Sequence, residues 1–403
     1  MRTRLFRYVS VLVLLALTTV DGIARAEPVP PQQGSVVVAL PEPTGADAIG
    51  VVDLHLVDTA RRDPYSPAVA RELMVSIWYP ATDVAGVPVR QWLSPSLTQI
   101  YADSLAPVGA PSTERLTLAP SHGHIDAAAE MSRGRRPVVM FSPGKGMPRE
   151  LSTAQAEDLA SHGFVVVALS HTHETATEFP GGRIEQSALA PTHGDDEAQG
   201  ATALATRVAD TRFVLDKLVD ITAGDNPDAD QHPLPANLAR VLDVSKVGMF
   251  GHSLGGATAA QAMHDDPRIA AAADLDGRLW GSVVTDGLDR PFMLINREGH
   301  DRADIPGVKQ FWATGHGPKL NFRLNGTQHL SFCDNQLIAA PLVAAGLIPS
   351  AVAAQLVGTI DPRVSLDLQR GYLRSFFDTT LGRYNDLTQT PATLLHPEMV
   401  PVP

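Results

Sequence analysis

The chain has 403 residues, 44% hydrophobic and 19% charged, a composition that excludes a disordered or fibrous protein and fits a folded globular one. Its 32 Lys and Arg against 44 Asp and Glu leave a net charge of −12, a poor match for nucleic-acid phosphate. The lone cysteine, Cys333, excludes an internal disulfide framework and any cysteine-rich zinc or iron–sulfur site.

Arg2, Arg4 and Arg7 precede a mostly apolar run from Tyr8 to Val20, and Ala24-Arg25-Ala26 supplies the small residues of a cleavage site. This pattern predicts a signal peptide over residues 1–26 and a secreted protein, extracellular or periplasmic. No Arg-Arg pair precedes the apolar run, which favours the general secretory route over twin-arginine export. The run is shorter than the roughly 20 residues that a spanning helix needs, so an uncleaved anchor is the weaker reading. With no cysteine near the cleavage point, a lipoprotein anchor is excluded. No later segment approaches about 18 uninterrupted apolar residues, so no transmembrane span is expected after signal removal.

Residues 27–403 read as a single domain. Glu27 to Gly34 is a Pro-rich lead-in. Val36 to Leu40, Val51 to Val57 and Leu73 to Tyr79 read as strands. Residues 81–136, rich in Pro, Ser and Gly, read as a surface excursion with one helix around Ser96 to Leu105. From Pro137 the pattern changes. Val138 to Phe141 and Phe164 to Leu169 are short apolar runs of the kind that form buried parallel strands, with a helix predicted between them from Ser152 to His162. A polar loop follows from Ser170 to Gly200, then a long helix from Ala201 to Val219. Further strands are predicted at Val244 to Phe250, Ile269 to Leu275, Phe292 to Ile295 and Leu320 to Leu324. Helices are predicted at Gly255 to His264 and Leu366 to Leu381. Strands alternating with helices imply a mostly parallel central sheet with helices on both faces, an α/β fold.

Gly251-His252-Ser253-Leu254-Gly255-Gly256 contains the pattern G-x-S-x-G. The pattern is short enough to arise by chance, so its setting decides. The apolar strand Lys246 to Phe250 feeds into it and the small-residue helix Ala257 to Ala260 leaves it, which is the strand–turn–helix context of a nucleophile elbow. A sharp, strained turn lifts the serine hydroxyl above the sheet, and glycines lacking Cβ let strand and helix approach. The helix N-terminus adds partial positive charge for a developing oxyanion.

A serine needs a base, and in this arrangement the partners follow in the order Ser, acid, His. Five histidines lie after Ser253. His264 sits in the helix leaving the elbow, His316 precedes a strand, and His396 lies in a Pro-rich tail. His300 follows a strand at a place more usual for the acid. His329 follows the strand Leu320 to Leu324 through Asn325-Gly326-Thr327-Gln328, at the carboxyl end where ligand crevices form, and is the expected base. For the acid, Asp274, Asp276, Glu298 and Asp301 all lie at suitable strand ends.

At these residues the chain resembles the platelet-activating-factor acetylhydrolase family (the plasma and type II esterases), within the α/β-hydrolase superfamily. The likeness runs from about Val51 to Leu381. It is carried by Arg71-Glu72-Leu73-Met74-Val75-Ser76-Ile77-Trp78-Tyr79-Pro80-Ala81, by Leu159-Ala160-Ser161-His162-Gly163-Phe164, by the elbow Gly251 to Thr258, and by Leu275-Asp276. The resemblance implies the α/β-hydrolase fold, Asp276 as the acid, and an esterase acting on short-acyl or phospholipid-type esters. Phe141-Ser142-Pro143-Gly144-Lys145-Gly146 is similar to the family's F-S-H-G-x-G, with Pro143 in place of the histidine. Proline has no N–H, so any hydrogen bond made by that histidine is lost.

The expectation is therefore a carboxylic ester hydrolase that uses Ser253, His329 and Asp276, with the backbone N–H groups of Leu254 and Lys145 as the oxyanion hole and no cofactor or metal. Met147, His252, Trp280 and Phe332 flank these residues and are candidate substrate contacts. His171-Thr172-His173-Glu174 invites a metal reading, but two loop histidines without clustered partners are weak evidence for one. The substrate partner is a small-molecule or lipid ester, and a monomer is expected. Acyl transfer or amide cleavage by the same three residues, or a catalytically inactive binding module, are the competing readings.

Overall fold

The computed structural model describes residues 36–105, 115–189, 197–382 and 396–402. The expected signal peptide and the Pro-rich lead-in lie outside them.

Eleven strands form one sheet. They are β1 (Ala48–Arg62), β2 (Ala70–Ala81), β3 (Val89–Gln91), β4 (Pro120–Ile125), β5 (Arg136–Ser142), β6 (Val165–Ser170), β7 (Leu242–His252), β8 (Ile269–Leu275), β9 (Phe292–Arg297), β10 (Lys319–Leu324) and β11 (Met399–Pro401). Their order across the sheet is β11-β10-β9-β8-β7-β5-β6-β2-β1-β4-β3. The six central neighbours, β6 through β10, pair in parallel. On one side β2 runs antiparallel to β6 and to β1, and on the other β11 closes the edge antiparallel to β10.

The central strands are apolar along their middles because both of their faces are covered there. Val138 and Met140 of β5 point into one core cluster, while Val139 and Phe141 point into the other; Val165, Val167 and Leu169 of β6 alternate with Val166 and Ala168 in the same way. The first cluster is roofed by the long helix Glu197–Ala223 and the helix Leu254–Asp265. The second is roofed by helices Thr153–Ser161 and Pro362–Thr380, which contribute Leu159, Leu373, Phe376 and Phe377. The result is a mostly parallel sheet between two helical layers.

The structure departs from the sequence reading at the margins. Residues 81–136 are not only a surface excursion: β4 pairs in parallel with β1, β3 pairs with β4, and Trp92 is fully buried. Strands of three to six residues carry too little periodicity to stand out. The polar loop after β6 holds a small antiparallel pair, Thr177–Phe179 with Arg183–Glu185. Helices Asn335–Ala344 and Ser350–Val357, which follow His329, are apolar on most sides, and Pro341 interrupts the first, so neither has the one-sided stripe that marks a surface helix. Among the described residues no helix is long and apolar enough to cross a membrane.

Candidate active site

Four parallel strands in a row, β7 to β10, deliver the candidate residues at their carboxyl ends. Register alone brings two of them together. Gly251 and His252 of β7 lie opposite Asp274 and Leu275 of β8, so Ser253 and Asp276 each stand one residue beyond the last pair. Both have left-handed backbone, with φ of 56° at Ser253 and 54° at Asp276. A non-glycine residue in this region is strained, and surrounding bonds must hold it there. The Ser253 N–H donates to the Leu275 carbonyl at 2.9 Å, and the Asp276 N–H donates to the Ile295 carbonyl at 2.8 Å. Each turn is thus tied to the next strand.

The elbow needs its glycines for space. A Cβ on Gly251 would come within 2.1 Å of the Gly255 backbone, and one on Gly255 within 1.9 Å of the Ser142 carbonyl oxygen. Real Cβ atoms do not approach so closely, so the crossing of strand and helix depends on both residues.

His329 comes from beyond β10. It opens a short 3₁₀ helix, His329–Phe332, held by reciprocal bonds between Gln328 and Ser331. Its Nε2 lies 3.0 Å from Ser253 Oγ and its Nδ1 lies 2.6 Å from Asp276 Oδ2. The structure therefore brings Ser253, His329 and Asp276 into one hydrogen-bonded line. Asp276 is buried. Its Oδ1 also accepts from His300 Nδ1 at 2.8 Å and from the Arg297 backbone N–H at 3.1 Å, and Arg297 Nη1 reaches Oδ2 at 3.2 Å. Burial alone would raise the pKa of this carboxyl. The hydrogen bonds from His300 and His329, with the charges of His329 and Arg297, outweigh burial and hold it well below the usual carboxylate range. It is a fixed anion facing an imidazole N–H.

Asp274, two residues earlier, has the opposite character. It is buried, its Oδ1 accepts only the Gly277 N–H at 2.8 Å, and its Oδ2 has no partner among the described residues. Burial and then the neighbouring Asp276 charge push its pKa well above the carboxylate range, which favours the neutral carboxyl beneath the elbow. Glu298 instead caps the Gly326 N–H at 2.8 Å, and Asp301 pairs with Arg323 at 3.0 Å.

The candidate contacts divide. His252 and Phe332 do not face substrate: they are 1% and 0% exposed. Phe332 fills the core beneath the second helical layer. His252 lies against the His329 ring, centroids 4.6 Å apart, and its Nε2–H donates to the His329 carbonyl at 2.9 Å. Burial and the His329 charge push its pKa down to about 3, so it is neutral and acts as a brace for the His329 backbone. Met147 and Trp280 are half-buried beside the site. Trp280 packs against Gly200, where a Cβ would come within 2.5 Å of the indole. Leu254 is the first residue of the elbow helix, and Lys145 sits in the loop after β5. Among the described residues neither amide hydrogen has a protein acceptor. The Lys145 side chain is tethered to Gln199. His171 and His173 point away from each other's partners, to Asp210 and Asp63 respectively. Sequence reasoning missed His300 as a partner of Asp276. Its place after β9, at the same carboxyl rim, was the available signal.

Comparison with known proteins identifies the family. The family model described as platelet-activating factor acetylhydrolase, isoform II, matches residues 69–394. The chain belongs to this family. A probable 1-alkyl-2-acetylglycerophosphocholine esterase of Arthroderma benhamiae is 26% identical over 397 residues, covering 90% of this chain and 93% of that protein. The platelet-activating factor acetylhydrolase of Cavia porcellus is 28% identical over 284 residues, covering 65% of this chain and 63% of that protein. The solved ferulic acid esterase of Streptomyces cinnamoneus superposes with a TM-score of 0.73 at 30% identity, covering 91% of this chain and 99% of that one. The chain is a carboxylic ester hydrolase of the α/β-hydrolase fold.

Proposed function

We propose that the protein cleaves short-acyl or phospholipid-type esters through an acyl-enzyme formed on Ser253. His329 Nε2 takes the hydroxyl proton as Ser253 Oγ attacks the ester carbonyl. Asp276 keeps Nδ1 protonated and stabilises the imidazolium that forms. The Leu254 N–H, at the positive end of the elbow helix, and the Lys145 N–H receive the tetrahedral oxyanion. The alcohol leaves with the proton from His329, which then activates a water to release the acid. The observation that carries this reading is the line from Ser253 Oγ to His329 Nε2 at 3.0 Å and from His329 Nδ1 to Asp276 Oδ2 at 2.6 Å, at adjoining strand ends.

The test is Ser253→Ala on a series of p-nitrophenyl esters, with fluorophosphonate labelling alongside. The variant should lose labelling and at least about 10⁴-fold in kcat. Retention of near-normal hydrolysis would refute the scheme. The fungal relative's name, an acetylglycerophosphocholine esterase, supports short acyl chains; a rate optimum at long chains would contradict that part alone. Acyl transfer uses the same intermediate, and product analysis with and without an acceptor alcohol separates the two. The N-terminal pattern of Arg2, Arg4, Arg7 and Ala24-Arg25-Ala26 supports export of the enzyme by the general secretory route.

A further inference from the structure

We propose that Arg207 is a positioning residue for the ester hydrolysis, setting the oxyanion loop from behind through a fully buried ion pair with Glu174. The inference rests on the Ser253 acyl-enzyme reading and adds a determinant that lies outside the elbow and its two partners.

Arg207 projects from the middle of the helix Glu197–Ala223 and is 1% exposed, as is Glu174. One edge of its guanidinium grips the Glu174 carboxylate, with Nε 2.9 Å from Oε2 and Nη2 2.7 Å from the same oxygen. The rest faces three consecutive residues of the loop after β5. Nη1 donates to the Pro143 carbonyl and, at 3.3 Å, to Ser142 Oγ, and Nη2 donates to the Gly144 carbonyl at 3.2 Å. Gly144 O is held a second time by the Met147 N–H at 3.1 Å.

A planar trans peptide fixes the consequence. The carbonyl of one residue and the N–H of the next point in opposite directions, and there is no cis peptide in the described chain. Pinning the Gly144 carbonyl toward Arg207 therefore turns the Lys145 N–H away from it, and pinning the Pro143 carbonyl does the same for the Gly144 N–H. Pro143 cannot add a donor of its own, so the loop depends on this outside grip on its carbonyls to keep its amides turned to the other side.

The grip is itself anchored. Ser142 Oγ lies 2.9 Å from His171 Nε2, and His171 Nδ1 lies 3.0 Å from Asp210 Oδ2. Asp210 is locked by Arg71 at 2.7 Å, and Arg71 also holds Asp63 at 2.7 Å. This line repeats the atom order of Ser253, His329 and Asp276. It is sealed, with Ser142, His171 and Asp210 at 0%, 1% and 0% exposure, so it serves as scaffold and offers no second nucleophile. Burial and the Arg207 charge lower the His171 pKa, which keeps that ring neutral and able to accept from Ser142.

The experiment compares the wild type with Arg207→Lys and with the double variant R207M/E174Q, measuring kcat and KM on p-nitrophenyl acetate and Ki for a trifluoromethyl ketone that forms a reversible oxyanion adduct. Lysine keeps the charge but has no planar fork to span two carbonyls. The double variant removes both buried charges together, so neither is left unpaired and the fold is protected. Either folded variant should lose about 10²-fold in kcat with KM changed by less than about threefold, and the ketone Ki should rise by the same factor as kcat falls. A folded double variant, judged by cooperative melting and near-UV circular dichroism, that keeps kcat within about threefold of wild type overturns the proposal. So does a kcat loss with the ketone Ki unmoved. Failure of the underlying scheme looks different: Ser253→Ala would then hydrolyse ester as the wild type does.

Discussion

The substitution Asp276→Asn tests the line of bonds most directly, because the structure dictates which way the amide must turn. Asp276 Oδ1 accepts from the Arg297 backbone N–H at 3.1 Å and from His300 Nδ1 at 2.8 Å. A backbone N–H cannot rotate away, so the asparagine carbonyl oxygen is forced into the Oδ1 place. Its NH₂ then occupies the Oδ2 place, 2.6 Å from His329 Nδ1. Two donors cannot face each other there, and His329 shifts its proton to Nε2. The ring then donates toward Ser253 Oγ and can no longer take its proton. A carboxylate-to-amide change that imposes the wrong tautomer on such a histidine costs about 10⁴ in kcat, equivalent to about 5 kcal/mol of barrier. The assay is kcat on p-nitrophenyl acetate at pH 8, with thermal melting to show that the fold persists. A folded D276N enzyme within about tenfold of wild-type kcat would refute the tautomer argument and the assignment of Asp276 with it.

Three further outcomes follow from buried groups. Gly256→Ala places a Cβ 1.7 Å from Asp274 Oδ1 in a sealed site, so melting should report a loss of about 3 kcal/mol or more; adding Asp274→Ala should recover part of it, and strictly additive losses would show that the two residues do not meet. Asp334 is buried, and burial, above all other influences, raises its pKa to about 7. The folded protein therefore keeps a proton that the unfolded chain sheds above about pH 4, and this group's contribution to stability falls as pH rises from about 4 to about 7. Asp334→Asn, which lacks that titration, should gain in melting temperature relative to wild type across this window, and parallel curves would refute the reasoning. Arg71→Met removes the fully buried cation shared by Asp63 and Asp210 and leaves Asp210 only the partly exposed Arg61 at 3.0 Å, so denaturant unfolding should show a loss of about 3 kcal/mol; a change below about 1 kcal/mol would mean the network does not hold β2 to the long helix.

What could be read from the sequence was what a few neighbouring residues encode. Mostly apolar runs of four to seven residues gave the buried strands β5 to β9, because a strand covered on both faces buries nearly every side chain. Gly251 to Gly256 gave the elbow, since strand, tight turn and small-residue helix are contiguous in the chain. His329 was legible from its place after a late strand. The rest depended on register and burial, which are not local. Asp274 and Asp276 are two residues apart at the end of one strand; the Leu275-Asp276 resemblance pointed to the second, but nothing local says which carboxyl is held as the anion. The pairing of β8 with β7 and β9 sets one against His300, His329 and Arg297 and the other under Gly256. Phe332 and His252 look like pocket residues beside the site in sequence, yet packing turns both inward. Arg207 reads as an ordinary polar position on a helix, because nothing local indicates that the carbonyls of Pro143 and Gly144 lie against it. The sequence by itself determined the strands, the turn and the serine. Only tertiary packing decided which carboxyl is held as the anion, that His252 braces the His329 backbone and that Arg207 lies against the loop after β5, because those contacts join segments tens of residues apart.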